Sequence, residues 1–217
     1  MAEPLMAAIV LAAGSSKRFG SENKLLADAG GRSVIESVFA NVVECGFDVV
    51  VVVTAPDQPA IENLVHMAGF TAVVNPHPEL GMGTSIACGM KELSRQTAKS
   101  LAGVAIFLGD MPAVDSDMVC ELIGTFKRSG SPNIVRPVNI MDEGKTPGHP
   151  VIFPSDLFTA LECLTRDAGA KQLISQHRQR LIEVVVTDRG ATIDIDNVQA
   201  LNEIDKKISD KKIGGSF

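Results

Sequence analysis

The sequence predicts a single three-layer α/β domain with a mostly parallel central sheet. Strand-like and helix-like stretches alternate almost throughout the chain. The strand-like runs are β-branched and lack polar alternation, as strands buried on both faces do. The helix-like stretches each carry one apolar face. Strict alternation places helices on both faces of a parallel sheet, joined by right-handed crossovers. At 217 residues with 45% hydrophobic residues, one core is sufficient. The domain is expected over residues 1–209. Residues 210–217, ending Gly214-Gly215-Ser216-Phe217, have lost the apolar pattern and read as a loose tail.

Ala7–Ala13, Asp48–Thr54, Thr71–Val74 and Val104–Leu108 are the first four expected strands. Between them, Ser33–Glu44 opens with a capping box, Ser33 followed three residues later by Glu36, and stops before Gly46. Helices are expected over Pro59–Met67, Thr84–Leu93 and Ser116–Arg128. The alternation continues with strands Asn133–Arg136 and Pro150–Phe153, then a helix Ser155–Leu164 and a shorter one, Ala170–His177. Strands Leu181–Thr187 and Thr192–Ile195 follow. A last helix, Asn197–Ser209, places Val198, Leu201, Ile204 and Ile208 on one face.

Composition narrows the function. A net charge of −6 argues against a nucleic-acid partner, which requires a net basic face. Cys45, Cys88, Cys120 and Cys163 are scattered, without a CxxC pair, in apolar helical patterns where free Cys acts as a small buried hydrophobe. A reduced, cytoplasmic protein is expected. His66, His77, His149 and His177 show no zinc-ligand spacing. The apolar run Leu5–Ala13 follows Glu3 rather than a basic residue and leads into a cationic loop, so it reads as a buried strand and not a signal peptide. No later run is long enough to span a bilayer, and no membrane partner is expected.

In an open parallel sheet the ligand sits at the carboxyl ends of the strands, near a switch point. The loops there carry five motifs. Leu11-Ala12-Ala13-Gly14-Ser15-Ser16-Lys17-Arg18-Phe19-Gly20, with Asn23-Lys24, follows the first strand. Its glycines permit close backbone approach and its amides can cradle an oxyanion, while Arg18 and Lys24 supply charge for a triphosphate. A solvated glycine turn is the bland alternative. Three cations around glycines at a strand's carboxyl end favour phosphate binding. Neither a Walker A sequence nor GxGxxG is present.

Leu108-Gly109-Asp110-Met111-Pro112 follows an uncharged strand. Asp110 there is equally readable as a Mg²⁺ ligand or as a turn Asp. Asp194-Ile195-Asp196 places two carboxylates on one side of a strand, suited to a metal, while Asp196 before Asn197 also reads as a helix N-cap. Gly81-Met82-Gly83-Thr84-Ser85 leads into a helix whose free amides and two hydroxyls suit a base or ribose, or plain capping by Thr84. Gly144–Pro150 reads as a flexible loop with Lys145, Gly148 and His149. His149 is either a pocket residue or a loop histidine.

In this order the motifs resemble the nucleotidyltransferases of Rossmann-like (GT-A-like) fold, and most of all the molybdenum cofactor cytidylyltransferases. The resemblance runs from Ile9 to about Ile204. It implies that Leu11, Ala12, Ala13, Gly14, Ser15, Ser16, Arg18 and Lys24 hold the nucleotide. Asp110 would hold Mg²⁺ with Asp194 or Asp196. Gly83, Thr84 and Ser85 would lie near base and ribose. Gly148 and His149 would line the acceptor pocket, with Asp167-Ala168-Gly169-Ala170 nearby. Asn197-Val198-Gln199 departs from the Thr-Pro-Glu that commonly follows the last Asp.

The implied reaction moves CMP from CTP to the phosphate of a molybdopterin-type molybdenum cofactor and releases pyrophosphate. A cofactor chaperone or a target molybdoenzyme is the implied protein partner. In the resembling family Ala13 belongs to the cytidylyl pattern LAAG, where the guanylyl branch tends to carry Gly. Alternatives within the fold are a guanylyltransferase for the same cofactor, or a cytidylyl- or uridylyltransferase for a sugar or polyol phosphate. A silent nucleotide-binding regulator is the alternative from another class.

Overall fold

The computed structural model describes residues 5–14, 23–96, 101–130, 132–141, 144–166, 168–187 and 189–192. Within them eight strands form one sheet: β1 (Leu5–Leu11), β2 (Val49–Thr54), β3 (Thr71–Val74), β4 (Leu101–Leu108), β5 (Ile134–Met141), β6 (Gly144–Pro147), β7 (Val151–Pro154) and β8 (Leu181–Val186). Their order is β3-β2-β1-β4-β7-β5-β6, with β8 also paired to β5. The β1–β2, β2–β3, β1–β4 and β5–β8 pairs are parallel. The β4–β7, β5–β7 and β5–β6 pairs are antiparallel. The sheet is thus mostly parallel, with β1 central, as the unbroken apolar runs require.

Helices α1 (Val34–Glu44), α2 (Pro59–Met67), α3 (Met82–Gln96), α4 (Ser116–Arg128), α5 (Phe158–Glu162) and α6 (Ala168–Gln176) cover its two faces. Successive β1 side chains enter different cores. Met6, Ala8 and Val10 pack with Val38 and Phe39 of α1, Ile61 and Val65 of α2, and Val119 and Leu122 of α4. Ala7 and Ile9 pack with Ile86 and Met90 of α3, Leu161 of α5 and Leu173 of α6. These are the three layers.

The local signals explain most boundaries. The Ser33 amide donates to Glu36 Oε2 at 2.9 Å and the Glu36 amide donates back to Ser33 Oγ, so the expected capping box is present. Helix α1 ends at Glu44, and Gly46 beyond it has φ of +67°, the left-handed conformation glycine adopts without a Cβ penalty.

Four expectations need correction. Gly144–Pro147 is not a flexible loop but strand β6, paired with Val138–Met141 of β5. Its polar, Pro-ended sequence is tolerable because pairing with β5 supplies the order. The single helix expected over Ser155–Leu164 is a 3-10 turn, Ser155–Leu157, followed by the short α5. Arg189–Thr192 is a 3-10 turn, so Thr192 does not begin a strand; Ile193–Ile195 and Asn197–Ser209 lie outside the described residues. Cys120 and Cys163 are exposed rather than buried, while Cys45 and Cys88 are partly buried and all four thiols are free. Apolar helical context alone does not say which face a cysteine occupies. Among the described residues no helix is long and apolar enough to cross a membrane.

Candidate active site

The chain passes from β1 to β2 and β3 on one side, then crosses through α3 to β4 on the other side of β1. The carboxyl ends of β1 and β4 therefore flank the switch point, the usual place for a ligand in such sheets. Beyond the strand ends the backbones stay coupled. The Ala12 amide donates to the Val53 carbonyl at 2.8 Å, and the Gly109 amide donates to the Leu11 carbonyl at 2.9 Å. A Cβ on residue 109 would lie 2.9 Å from that carbonyl oxygen and 3.1 Å from Ile35 Cδ1, so glycine is what lets the two strand ends meet.

This approach delivers Asp110 beside the first loop. Lys24 opens a 3-10 turn, Lys24–Leu26, capped by Asn23, whose side chain accepts from the Leu25 amide at 3.0 Å. Leu25 is buried and anchors the turn. Lys24 Nζ then donates to Asp110 Oδ2 at 2.5 Å, with the two side chains 14% and 21% exposed. Ala12 and Ala13 are buried, in the first and second core respectively, while Gly14 is exposed and open. A Cβ on Gly14 would meet no described atom within 4 Å, leaving its backbone accessible.

The loop after Asp110 is held from two sides. Asn41 of α1 donates from Nδ2 to the Pro112 carbonyl at 3.1 Å and to the Val114 carbonyl at 2.6 Å. Opposite, Gly190 lies so close to Ala113 that an added Cβ would sit 1.9 Å from the Ala113 oxygen. The same 3-10 turn supports the other loop. Ala191 accepts from the His149 amide at 2.8 Å, and a Cβ on Gly148 would fall 2.2 Å from the Ala191 oxygen. His149 Nδ1 lies 3.4 Å from the Ile106 carbonyl of β4. Gly148 and His149 are thus packed at the same sheet edge as Asp110.

At the β3 side, Asn75 organises the start of α3. It is buried, and its Nδ2 donates to Thr84 Oγ1 at 2.8 Å and to Ser85 Oγ at 2.9 Å. Its Oδ1 accepts from the His77 amide at 3.0 Å. Helix α3 begins at Met82, two residues earlier than expected, and Thr84 Oγ1 donates back to the Gly81 carbonyl at 2.8 Å. Gly83 is buried against the Arg166 backbone, where a Cβ would come within 2.2 Å of the carbonyl oxygen. The Gly81–Ser85 turn is therefore built by internal contacts as well as standing beside the sheet edge.

Ser15, Ser16, Arg18, Asp167, Asp194 and Asp196 lie outside the described residues. Among the described residues no group of three or more His, Cys, Asp and Glu converges. Among the described residues, Asp110 is the carboxylate that stands at the switch point. Such a donor set suits Mg²⁺, which keeps waters and takes one or two carboxylates together with substrate phosphates.

The MobA-like NTP transferase domain family matches residues 8–181. The chain belongs to that family. Among relatives of this MobA-like chain, nicotine blue oxidoreductase of Paenarthrobacter nicotinovorans is 23% identical over 209 residues, covering 91% of this chain and 95% of that protein. Purine catabolism protein PucB of Bacillus subtilis (strain 168) is 25% identical over 96% of this chain and all of its own length, 100%. The crystal structure of Rv0371c from Mycobacterium tuberculosis H37Rv matches with a TM-score of 0.77 at 22% identity, covering 95% of this chain and 100% of that one. Its manganese complex matches at 0.73 and 21% identity, over 93% and 98% of the two chains. CMP:2-keto-3-deoxy-manno-octonic acid synthetase complexed with CTP matches at 0.74 and 14% identity, over 95% and 99%. The structural likenesses show a fold shared over 93–95% of this chain.

Proposed function

We propose that this chain transfers CMP from CTP to the phosphate of a molybdopterin-type molybdenum cofactor and releases pyrophosphate. The observation that carries the transferase chemistry is the meeting of Lys24 and Asp110 at the β1–β4 switch point. A cation and a carboxylate that arrive on different loops, at the ligand edge of the sheet, are what a metal–triphosphate substrate needs on its two sides. The resemblance of the Leu11–Gly20, Gly109–Pro112 and Gly148–Val151 segments to the cofactor cytidylyltransferases supports the choice of acceptor. CTP in the 2-keto-3-deoxy-manno-octonic acid synthetase complex supports the choice of nucleotide.

In this reading the Gly14 loop wraps the triphosphate, with Arg18 and Lys24 neutralising it. Asp110, with Asp194 or Asp196, would hold Mg²⁺, which when bound supplies positive charge to the phosphate oxygens. The manganese complex of the Rv0371c structure is in keeping with a divalent ion here. Gly148 and His149 line the acceptor side. An oxygen of the acceptor phosphate attacks the α-phosphorus in line; the bond from α-phosphorus to the bridging oxygen breaks, and pyrophosphate carries away that electron pair. The attacking monoester is ionised at neutral pH, so no general base is needed. The residues contribute positioning and charge neutralisation. The protein functions in the cytoplasm and delivers its product to a chaperone or molybdoenzyme. Residues 1–209 form the transferase domain and 210–217 its tail.

Pyrophosphate release from CTP, GTP, UTP or ATP with Mg²⁺, in the presence of molybdenum cofactor or of sugar phosphates, tests this. CTP with the cofactor is the expected pair. A preference for GTP moves the protein to the guanylyl reading, and turnover with sugar phosphates alone removes the cofactor. Ala13→Gly is expected to shrink the CTP/GTP ratio of kcat/KM without inverting it, because one packed methyl discriminates by only about 1–3 kcal/mol.

A further inference from the structure

We infer that Asn41 is a positioning residue for the Asp110 carboxylate. Asn is a weak helix former in a helix interior unless its amide is engaged elsewhere. Here it is engaged 71 and 73 residues away, with the carbonyls of Pro112 and Val114. Both partners are acceptors, so only the NH₂ end of the side chain can face them. The helix beneath is fixed by Val38, Phe39 and Val42 in the core.

The loop has little internal bonding of its own. Pro112 has no amide hydrogen to contribute. Its neighbours' turn bonds, Met111 to Leu108 and Val114 to Met111, are both 3.4 Å, at the long end for N–H···O contacts. The two shorter Asn41 bonds, the Gly109–Leu11 bond and the contact of Gly190 with Ala113 set where the loop backbone lies, together with Met111 and Val114, which are buried in the first core. Asp110 stands between the first anchor at Gly109 and the second at Pro112. The Asn41 amide bonds these two loop carbonyls and not the Asp110 carboxylate. It acts through the loop.

The inference rests on the reading that Asp110 holds a divalent ion. Mn²⁺ binding to the full chain with CTP present, followed by the EPR signal of free Mn²⁺, is measured for wild type, Asn41→Ala and Asp110→Asn, alongside kcat and KM for CTP. Residues that orient a metal ligand typically cost about 10- to 100-fold in metal affinity or activity when lost. Asn41→Ala is expected to weaken Mn²⁺ at least about tenfold and to lower kcat to a similar degree. CTP binding without metal should stay within about twofold. If Asn41→Ala does not fold, Asn41→Leu keeps a comparable volume and a good helix former while losing both donors, and the same losses are expected. Unchanged Mn²⁺ affinity in a folded Asn41 variant, with Asp110→Asn weakened, overturns the inference even if the melting temperature falls. Unchanged affinity in Asp110→Asn overturns the metal reading itself.

Discussion

Lys24 Nζ meets Asp110 Oδ2 at 2.5 Å, joining the loop after β1 to the loop after β4. The pair brings together two opposite charges whose proposed partners, a triphosphate and a divalent ion, also carry opposite charges. In the proposed function each group would exchange this partner on substrate binding, Lys24 for the triphosphate and Asp110 for the divalent ion.

Removal of the cation should therefore be felt mainly by the triphosphate. Lys24→Ala, and likewise Arg18→Ala, is expected to weaken CTP binding about tenfold or more, since a hydrogen bond to a charged group contributes roughly 1.5–3 kcal/mol. CMP should lose much less. Calorimetric titration of both nucleotides checks this, and equal losses would place the cations elsewhere than on the β- and γ-phosphates.

Asp110→Asn separates binding from turnover. It is expected to lower kcat by about a hundredfold or more, as when a single group that stabilises transition-state charge is lost. Metal-free CTP binding should hold or tighten, because Lys24 is released from its carboxylate. Near wild-type turnover would return Asp110 to the role of a turn residue.

Gly190→Ala tests the packing of the two loops. A Cβ 1.9 Å from the Ala113 oxygen must displace backbone, not a flexible side chain. Overpacking of this kind costs about 1–3 kcal/mol. For a chain of this size that is a fall in Tm of about 2–12 °C. A melt that leaves Tm unchanged would mean the turn is free to move away.

Acid stability should depend on Glu183. Arg136 donates to Glu183 Oε1 at 2.6 Å and Lys145 to Oε2 at 3.0 Å, and these bonds hold its carboxyl below its ordinary value of 4.5. A lowered folded-state value gives stability that is present above the ordinary value and lost as pH falls through the folded one. Glu183→Gln should therefore lower Tm near neutrality and flatten its decline below about pH 4. Parallel declines in variant and wild type would show that the ion pairs contribute nothing measurable.

Cysteine reactivity gives an independent check on the fold. Burial pushes the Cys45 thiol up to about 12, whereas Cys120 and Cys163 are exposed. Reaction follows the thiolate. Iodoacetamide near pH 8 is expected to modify Cys120 and Cys163 well before Cys45, read out by peptide mass. Early labelling of Cys45 would put it on the surface.

The parallel half of the fold was legible because β1, β2 and β4 are almost free of polar residues and sit between helices with written start signals, Ser33 and Pro59 among them. Lys24 and Asp110 were legible as residue types at a sheet edge, but their contact was not, since it crosses 86 positions. Strand β6 was hidden because Gly144-Lys145-Thr146-Pro147 has no strand character without β5 beside it. Asn41, Asn75 and Gly190 were missed for a related reason. An asparagine in a helix or a glycine in a turn carries no mark of the distant carbonyl or hydroxyl it serves, and only the folded chain brings that partner near.

The turn at Gly190-Ala191 makes the two halves of the edge mechanically continuous. It abuts Ala113 on one side and the Gly148–His149 backbone on the other. If His149 lines the acceptor side as proposed, an acceptor that shifted it would lean, through this turn, on the loop that carries Asp110. A coupling of that kind would be reciprocal by thermodynamic necessity. Whatever factor the acceptor imposed on the affinity of an ion at Asp110, the ion would impose on the acceptor.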